Sequence, residues 1–240
     1  MTHVVLISGL QSDSVSWQGV PDCLSSAHDV TVPHGFQYAD SMAGMADAIH
    51  AQLPPRFHLV GWSMGGYIAL ELMRRMPERI SALVMMNTSA AAEPPEGAEK
   101  RRQSLDIAET HGLAYYQLNN LDRCLHDPAS LSERARQELA AASESLGIDA
   151  FRAQLRAIVD RPDSRPDLAL VRCPALIVTS DDDRVVDPSF SRDMHRRLPG
   201  SDFVEIQNCG HCPPMEAPAK LCELLLDWFA GVGDQPPPQP

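Results

Sequence analysis

The chain has 240 residues, 44% of them hydrophobic and 22% charged, a composition that can fill one substantial core and is unlike a disordered polymer. Its formal net charge of −12 runs against non-specific nucleic-acid binding, which needs clustered Lys and Arg to displace counterions, and against adsorption to anionic membranes. No uncharged apolar run approaches the ~18–20 residues that span a bilayer. The opening MTHVVLISGL lacks the basic start and long apolar run of a secretory signal. Without an export signal, the six cysteines (Cys23, Cys124, Cys173, Cys209, Cys212 and Cys222) do not suggest a disulfide framework. They read as mostly reduced packing residues of a cytoplasmic protein.

In chain order, strands are expected at His3–Ser8, His28–Pro33, Phe57–Gly61, Ala82–Asn87, Ala175–Ser180 and Phe203–Ile206. Four of these runs, VVLIS, FHLVG, ALVMMN and ALIVTS, are apolar at both alternating positions, as parallel strands covered on two faces must be. Amphipathic helices are expected at Ser41–Leu53, Met64–Met76, Pro188–Leu198 and Glu216–Phe229. Strands alternating with helices of this length imply right-handed crossovers and an α/β fold with a mostly parallel sheet flanked by helices. The alternation stops between about residues 90 and 167, where no strand signal appears. Charged helical patterns take over at Gly97–Glu109, Ser130–Ser145 and Asp149–Asp160, with breaks at Asp127-Pro128, Gly147 and Arg161-Pro162-Asp163. A structureless loop of that length is implausible, so the expectation is a helical lid over 90–167 inserted into a core built from 1–89 and 168–231. Residues 232–240 are Pro-rich and read as a flexible tail.

The sharpest local signal is Gly61-Trp62-Ser63-Met64-Gly65-Gly66, between an expected strand and an expected helix. A sharp strand–turn–helix needs small flanking residues. It lifts the Ser63 hydroxyl clear of the sheet beside a helix N-terminus, where free amides favour developing negative charge. The plain alternative is a glycine-rich turn that lets a helix pack on a strand. A serine hydroxyl is a poor nucleophile without a base, and the base needs a carboxylate to fix its tautomer. Downstream, Asp181-Asp182-Asp183 follow the run ALIVTS, and Asn208-Cys209-Gly210-His211 follow FVEI. The order Ser63, Asp, His211 is that of a nucleophile-elbow enzyme. The histidines at 3, 28, 34, 50, 58, 111, 126 and 195 read as surface or packing groups.

Three separated segments carry a resemblance through nearly the whole chain. They are LVGWSMGGYIALELMRRMPERISALVMMNTSA, CPALIVTSDDDRVVDP and IQNCGHCPPMEAPAKLCELLLDWF. Together they resemble the elbow, acid segment and histidine loop of the α/β-hydrolase superfamily, in its compact carboxylesterase and enol-lactonase-like branch. The resemblance implies Ser63 as nucleophile and His211 as general base. The family's acid segment has Gly-x-x-Asp, two apolar residues and Pro. Matching Ser180 to the glycine and Val185-Val186 to the apolar pair gives Asp183 as the acid, with Asp182 as the alternative, while Asp181 and Asp187 read as loop and helix-cap groups. The oxyanion hole falls to the backbone amides of Met64 and Leu10.

Two departures stand out. The loop after the first strand reads Ser8-Gly9-Leu10 where the branch typically has His-Gly, and the chain starts almost directly at this strand, so the two leading strands common in the family are missing and six are expected. Trp62 stands where histidine is frequent and reads as a packing residue. A metal or redox reading of Cys209-Gly210-His211-Cys212 lacks a second ligand pair, and the acidic cluster lacks the pattern of a Ca²⁺ or Mg²⁺ site.

The function implied is a cofactor-free serine hydrolase for small to medium carboxylic esters, thioesters or lactones. The alternatives are other triad chemistry, such as C–C bond hydrolysis or a lyase or cyclase reaction, and a low-turnover ligand sensor on the same fold. Leu113, Tyr115, Tyr116, Leu118, Leu121, Phe151 and Leu155 could line the lid's underside or form its core. Neither oligomeric state nor substrate identity is legible.

Overall fold

Six parallel strands form one sheet in the order β2-β1-β3-β4-β5-β6, in a computed structural model that describes residues 2–233. The strands are β1 (His3–Ile7), β2 (Asp29–Thr31), β3 (Phe57–Trp62), β4 (Ile80–Met86), β5 (Ala175–Ser180) and β6 (Asp202–Ile206). Every neighbouring pair is parallel. The unbroken apolar runs follow from two covered faces. Val5 and Ile7 of β1, Leu59 of β3, Leu83 and Met85 of β4 and Ile177 of β5 pack on one side. Their alternating neighbours Val4, Leu6, Val60, Val84, Met86, Leu176 and Val178 pack on the other. Helices α2 (Met42–Ile49), α3 (Met64–Arg75) and α7 (Pro188–Arg197) cover the first face, and α1 (Val20–Leu24) and α9 (Pro218–Val232) the second.

The expected elements form with shifted ends. β2 is three residues long because it pairs only with β1 at the sheet edge. The expected helix Glu216–Phe229 is two helices, α8 (Pro213–Glu216) and α9, broken at Ala217 where Pro218 follows; the residue before a proline is pushed out of helical conformation. Helix α9 runs through Val232, which takes the first residue of the expected tail 232–240; residues 234–240 lie outside the described residues.

Between β4 and β5 lie α4 (Pro95–His111), α5 (Leu113–Cys124) and α6 (Glu133–Val159). Helix α5 has no counterpart among the helices expected from the sequence. Helix α6 joins two expected helices and is broken at Gly147, whose φ of 83° and ψ of 165° suit only glycine. These helices bury a small core of their own, with Ala108, Leu113, Tyr116, Phe151 and Leu155, against which Leu10 also packs.

One cysteine expectation is corrected. Cys23 of α1 and Cys222 of α9 form a disulfide with Cα atoms 6.4 Å apart. The two helices meet on the same sheet face, a juxtaposition hidden by a separation of 199 residues. Cys124, Cys173, Cys209 and Cys212 are free. Closing so long a loop restricts the unfolded chain, so Cys23→Ser is expected to lower the unfolding free energy by about 2–4 kcal/mol. Guanidinium titration checks this, with the reduced wild type expected to match the variant. Among the described residues, no helix is long and apolar enough to cross a membrane.

Candidate active site

The strand order reverses between β1 and β3, and crevices at the carboxyl ends of strands flanking such a point are where open α/β sheets bind ligands. Ser63 sits there, between the last residue of β3 and the first of α3, with φ of 54° and ψ of −119°. A non-glycine residue in this region costs roughly 1–3 kcal/mol and persists only where its surroundings impose it. Here the Ser63 amide donates to the Met86 carbonyl at 3.0 Å, and its carbonyl accepts from Thr88 Oγ1 at 2.7 Å and from the Gly66 amide at 2.9 Å. Glycines make the turn sterically feasible. A Cβ at Gly65 would lie 2.1 Å from the Ile7 carbonyl oxygen, and one at Gly61 would lie 2.7 Å from the Gly65 oxygen.

Ser63 Oγ is 2.8 Å from His211 Nε2. On the far side of the ring, His211 Nδ1 is 2.9 Å from Asp183 Oδ2 and 3.0 Å from Oδ1. The amides of Val185 and Val186 donate to Asp183 Oδ1 at 2.8 and 2.9 Å, which fixes the carboxylate, and its side chain is fully buried. Burial alone would pull the His211 pKa down. The charge and hydrogen bond of Asp183 outweigh it, so the imidazole is held above its ordinary value of 6.5.

The other acids of this loop point elsewhere. Asp182 pairs with Arg184 and with His126 Nδ1, and those partners hold its carboxyl below the ordinary range. Asp181 accepts from the Asn208 and Cys209 amides at 3.0 and 3.1 Å, tying the acid loop to the histidine loop. Asp187 accepts from the Ser189 amide at 2.8 Å and caps α7.

Above Ser63 opens a cleft of about 690 Å³, part of it open to solvent, lined by residues of both sheet and helical insertion. A Cβ at Gly9 would sit 3.3 Å from Ser63 Cβ, so the loop after β1 passes directly beside the serine. Leu10 and Met64 both line the cleft. The Met64 amide belongs to the first turn of α3, whose donors have no acceptor within the helix. Of the expected lid residues, Tyr116 and Leu121 reach the cleft. Leu113, Phe151 and Leu155 are buried in the insertion's own core, Tyr115 is 49% exposed and Leu118 is half-buried outside the cleft.

The sequence model described as the Alpha/beta hydrolase family matches residues 4–224. The chain belongs to this family. It is 31% identical to a pimeloyl-[acyl-carrier protein] methyl ester esterase of Nitrosomonas europaea over 91% of its length and 92% of that protein's. In structure it is similar to an esterase from Thermogutta terrifontis, with a TM-score of 0.82, 26% identity and coverage of 97% and 90% of the two chains. The enol-lactonase of Burkholderia xenovorans superposes with a TM-score of 0.79 at 21% identity, covering 95% of this chain and 91% of that one. This α/β hydrolase is therefore a hydrolytic enzyme.

Several residues that hold this arrangement together have no such role legible in the sequence. The indole of Trp62 donates to the His211 carbonyl at 2.9 Å, which makes it a clamp on the histidine loop as well as a packing residue. Trp62→Phe leaves that buried carbonyl without its donor and is expected to cost about 1–3 kcal/mol of stability, measured from the denaturant midpoint. Asn87, at the end of β4 with φ of 45°, donates to Ser180 Oγ at 2.9 Å and to the Gly210 carbonyl at 3.1 Å. Glu216 accepts from the Gly210 amide at 2.9 Å and from the His126 amide at 2.6 Å, and the His211 amide donates to the Cys124 carbonyl at 2.6 Å. At the site of the departure from His-Gly, Ser8 Oγ accepts from the Trp17 indole at 2.9 Å and donates to the Asp13 carbonyl at 3.2 Å, so a hydroxyl anchors this loop. The sulfurs of Cys209 and Cys212 face different neighbours. Cys209 lies toward Glu216, while Cys212 lies beside Cys124, with which it shares a hydrogen bond that lowers the Cys124 pKa and raises its own.

Proposed function

We propose that this enzyme cleaves small to medium carboxylic esters, thioesters or lactones through an acyl-enzyme on Ser63, with no cofactor. The observation that carries the reading is the unbroken chain from Ser63 Oγ through His211 to the buried Asp183, at the foot of the cleft. The esterase names of the Nitrosomonas and Thermogutta relatives support the ester class.

In this reading His211 Nε2 takes the hydroxyl proton as Ser63 Oγ attacks the acyl carbon. The carbonyl oxygen becomes an oxyanion held by the amides of Leu10 and Met64. Removing one such donor typically costs ~3–4 kcal/mol of transition-state stabilisation. The tetrahedral adduct collapses, and His211 gives the proton to the departing alcohol, thiol or lactone oxygen. Water then enters, loses a proton to His211 and attacks the acyl-enzyme, and the carboxylic acid leaves as Ser63 recovers its proton. Asp183 holds Nδ1–H toward itself throughout, keeping Nε2 as the acceptor and stabilising the imidazolium. Helices α4–α6 act as a lid on the core formed by 1–89 and 168–231, and their underside shapes the acyl pocket.

The test is turnover of p-nitrophenyl esters from acetyl to dodecanoyl. The reading expects kcat/KM to peak at short or medium chains and to fall at the longest. Absence of turnover across the series by folded protein contradicts it.

A further inference from the structure

The cleft above Ser63 contains a charge for which the mechanism has no use. Arg101, on the second turn of α4, lines it, and among the described lining residues Arg101 carries the one permanent charge; none is an Asp or Glu. Its side chain is 21% exposed. The Arg101 Nε donates to Glu93 Oε1 at 3.3 Å. Among the described residues, neither Nη of Arg101 has a hydrogen-bond partner in the protein.

Glu93 cannot neutralise Arg101 alone because it is shared. Its other oxygen accepts from Arg161, and both of these side chains are 6% exposed. Arg161 is locked in place. It donates to the Ala91 and Ile158 carbonyls at 3.0 and 2.9 Å and lies 4.2 Å above the Tyr67 ring. Space for Glu93 comes from Gly97, where a Cβ would fall 2.5 Å from Glu93 Oε1. Two guanidinium groups and one carboxylate leave one positive charge in surroundings that penalise an uncompensated ion. That charge is on the cleft side, since Arg101 lines the cleft and Arg161 does not. Burial raises the Tyr67 and Tyr116 phenols; Arg161 and then Arg101 oppose the rise at Tyr67, and a Ser104 hydrogen bond and then Arg101 oppose it at Tyr116.

A second group in the same cleft is unmatched. Gln11 is 2% exposed, and neither Nε2 nor Oε1 of its side chain has a partner in the protein. Its backbone adopts a φ of 52°, held by donation from its amide to Gln154 Oε1 at 2.8 Å. Gln11 adjoins the proposed oxyanion donor Leu10 and, like Arg101, is among the residues around the cleft.

We infer that Arg101, supported by Glu93 and Arg161, is a specificity-determining subsite for a carboxylate carried by the substrate at the end of the acyl chain remote from the scissile carbonyl. This rests on the proposed ester hydrolysis at Ser63 and narrows it to monoesters of dicarboxylic acids or their thioester and lactone equivalents. The two open Nη groups form the planar fork that matches a carboxylate bidentately. A monoanion balances the single excess charge of Arg101, Glu93 and Arg161, whereas a phosphate dianion overshoots it.

The experiment compares p-nitrophenyl monoesters of glutaric and adipic acids with neutral ω-carboxamide esters of the same lengths. The readout is the carboxylate-to-carboxamide ratio of kcat/KM, which a general loss of folded enzyme leaves unchanged. The wild type is expected to prefer at least one carboxylate substrate by roughly 10- to 100-fold, the span of a hydrogen-bonded ion pair. Arg101→Met should bring the ratio to about one, with Arg101→Lys between. A wild-type ratio of one or less at both lengths, or a ratio that Arg101→Met leaves unchanged, overturns the inference.

Calorimetric binding of glutaramate, adipamate and butyl phosphate to Ser63→Ala, with and without Arg101→Met, separates this inference from the hydrolase reading. If no ester is hydrolysed, the hydrolase reading falls, yet carboxylate binding that disappears with Arg101→Met still supports the subsite. Absent or Arg101-independent carboxylate binding overturns it, as does tighter binding of the phosphate.

Discussion

Ser63→Ala is expected to lower kcat/KM for any ester substrate by about 10⁴-fold or more, leaving the residual activity that binding and oxyanion stabilisation supply without a nucleophile. The fold should survive. The strained turn is imposed by backbone contacts, the Ser63 amide to Met86 and its carbonyl to Thr88 and Gly66, and Ala keeps all of them. The hydroxyl contributes one hydrogen bond, to His211. Turnover should therefore disappear while the thermal midpoint moves little, a combination read from ester hydrolysis and calorimetry on one preparation. Retention of more than a tenth of the wild-type rate contradicts the assignment.

Asp183→Asn is expected to be nearly as severe, about 10⁴-fold in kcat, and to carry a pH signature that a merely structural defect lacks. An amide in place of the carboxylate can donate to Nδ1, which moves the ring proton to Nε2 and removes the base that Ser63 needs. The Val185 and Val186 amides can still donate to the remaining oxygen, so the loop is retained. His211 must be neutral to accept a proton. Because Asp183 holds its pKa above 6.5 against the downward pull of burial, wild-type kcat/KM should rise with pH with a midpoint above that value. In Asp183→Asn burial and the Arg101 charge pull the imidazole down against only the smaller raising effect of Cys124, and the midpoint of the residual activity should fall well below that of the wild type. The sign for stability is the reverse of that for activity. A folded-state pKa raised by Asp183 stabilises the fold below the unfolded value of His211, and this contribution disappears as pH rises through the folded value.

The sheet was legible because its physics is local. A strand covered on both faces is apolar at both alternating positions, and VVLIS, FHLVG, ALVMMN and ALIVTS display that without knowledge of their neighbours. Ser63, Asp183 and His211 could be picked out because each follows a strand within a few residues, so topology alone carries them to the carboxyl end of the sheet. What stayed hidden depends on contacts between distant segments. The pairing of Cys23 with Cys222 exists because α1 and α9 share a sheet face. Trp62 looked like filling until its indole was seen to reach the His211 carbonyl. Glu216 reads as an ordinary helical acid until α8 brings it under the histidine loop. The insertion was hardest. Helix α5 buries Leu113, Tyr116, Gln117, Leu121 and Cys124 at helical spacing, but a glutamine within that stripe and Asn119 and Asn120 beside it blunt the pattern. Arg101 lay in a run of charges that reads as a solvated helix face, and only the shared Glu93 shows that its charge is turned inward.

The most direct measurement is to label folded wild-type enzyme with a fluorophosphonate and map the adduct by peptide mass spectrometry, with Ser63→Ala alongside. The reagent reports an assembled serine–histidine pair without requiring the natural substrate. The account predicts one adduct per chain, on Ser63, and no adduct on the variant. A folded wild-type protein that remains unlabelled, or that is labelled at another residue, contradicts it.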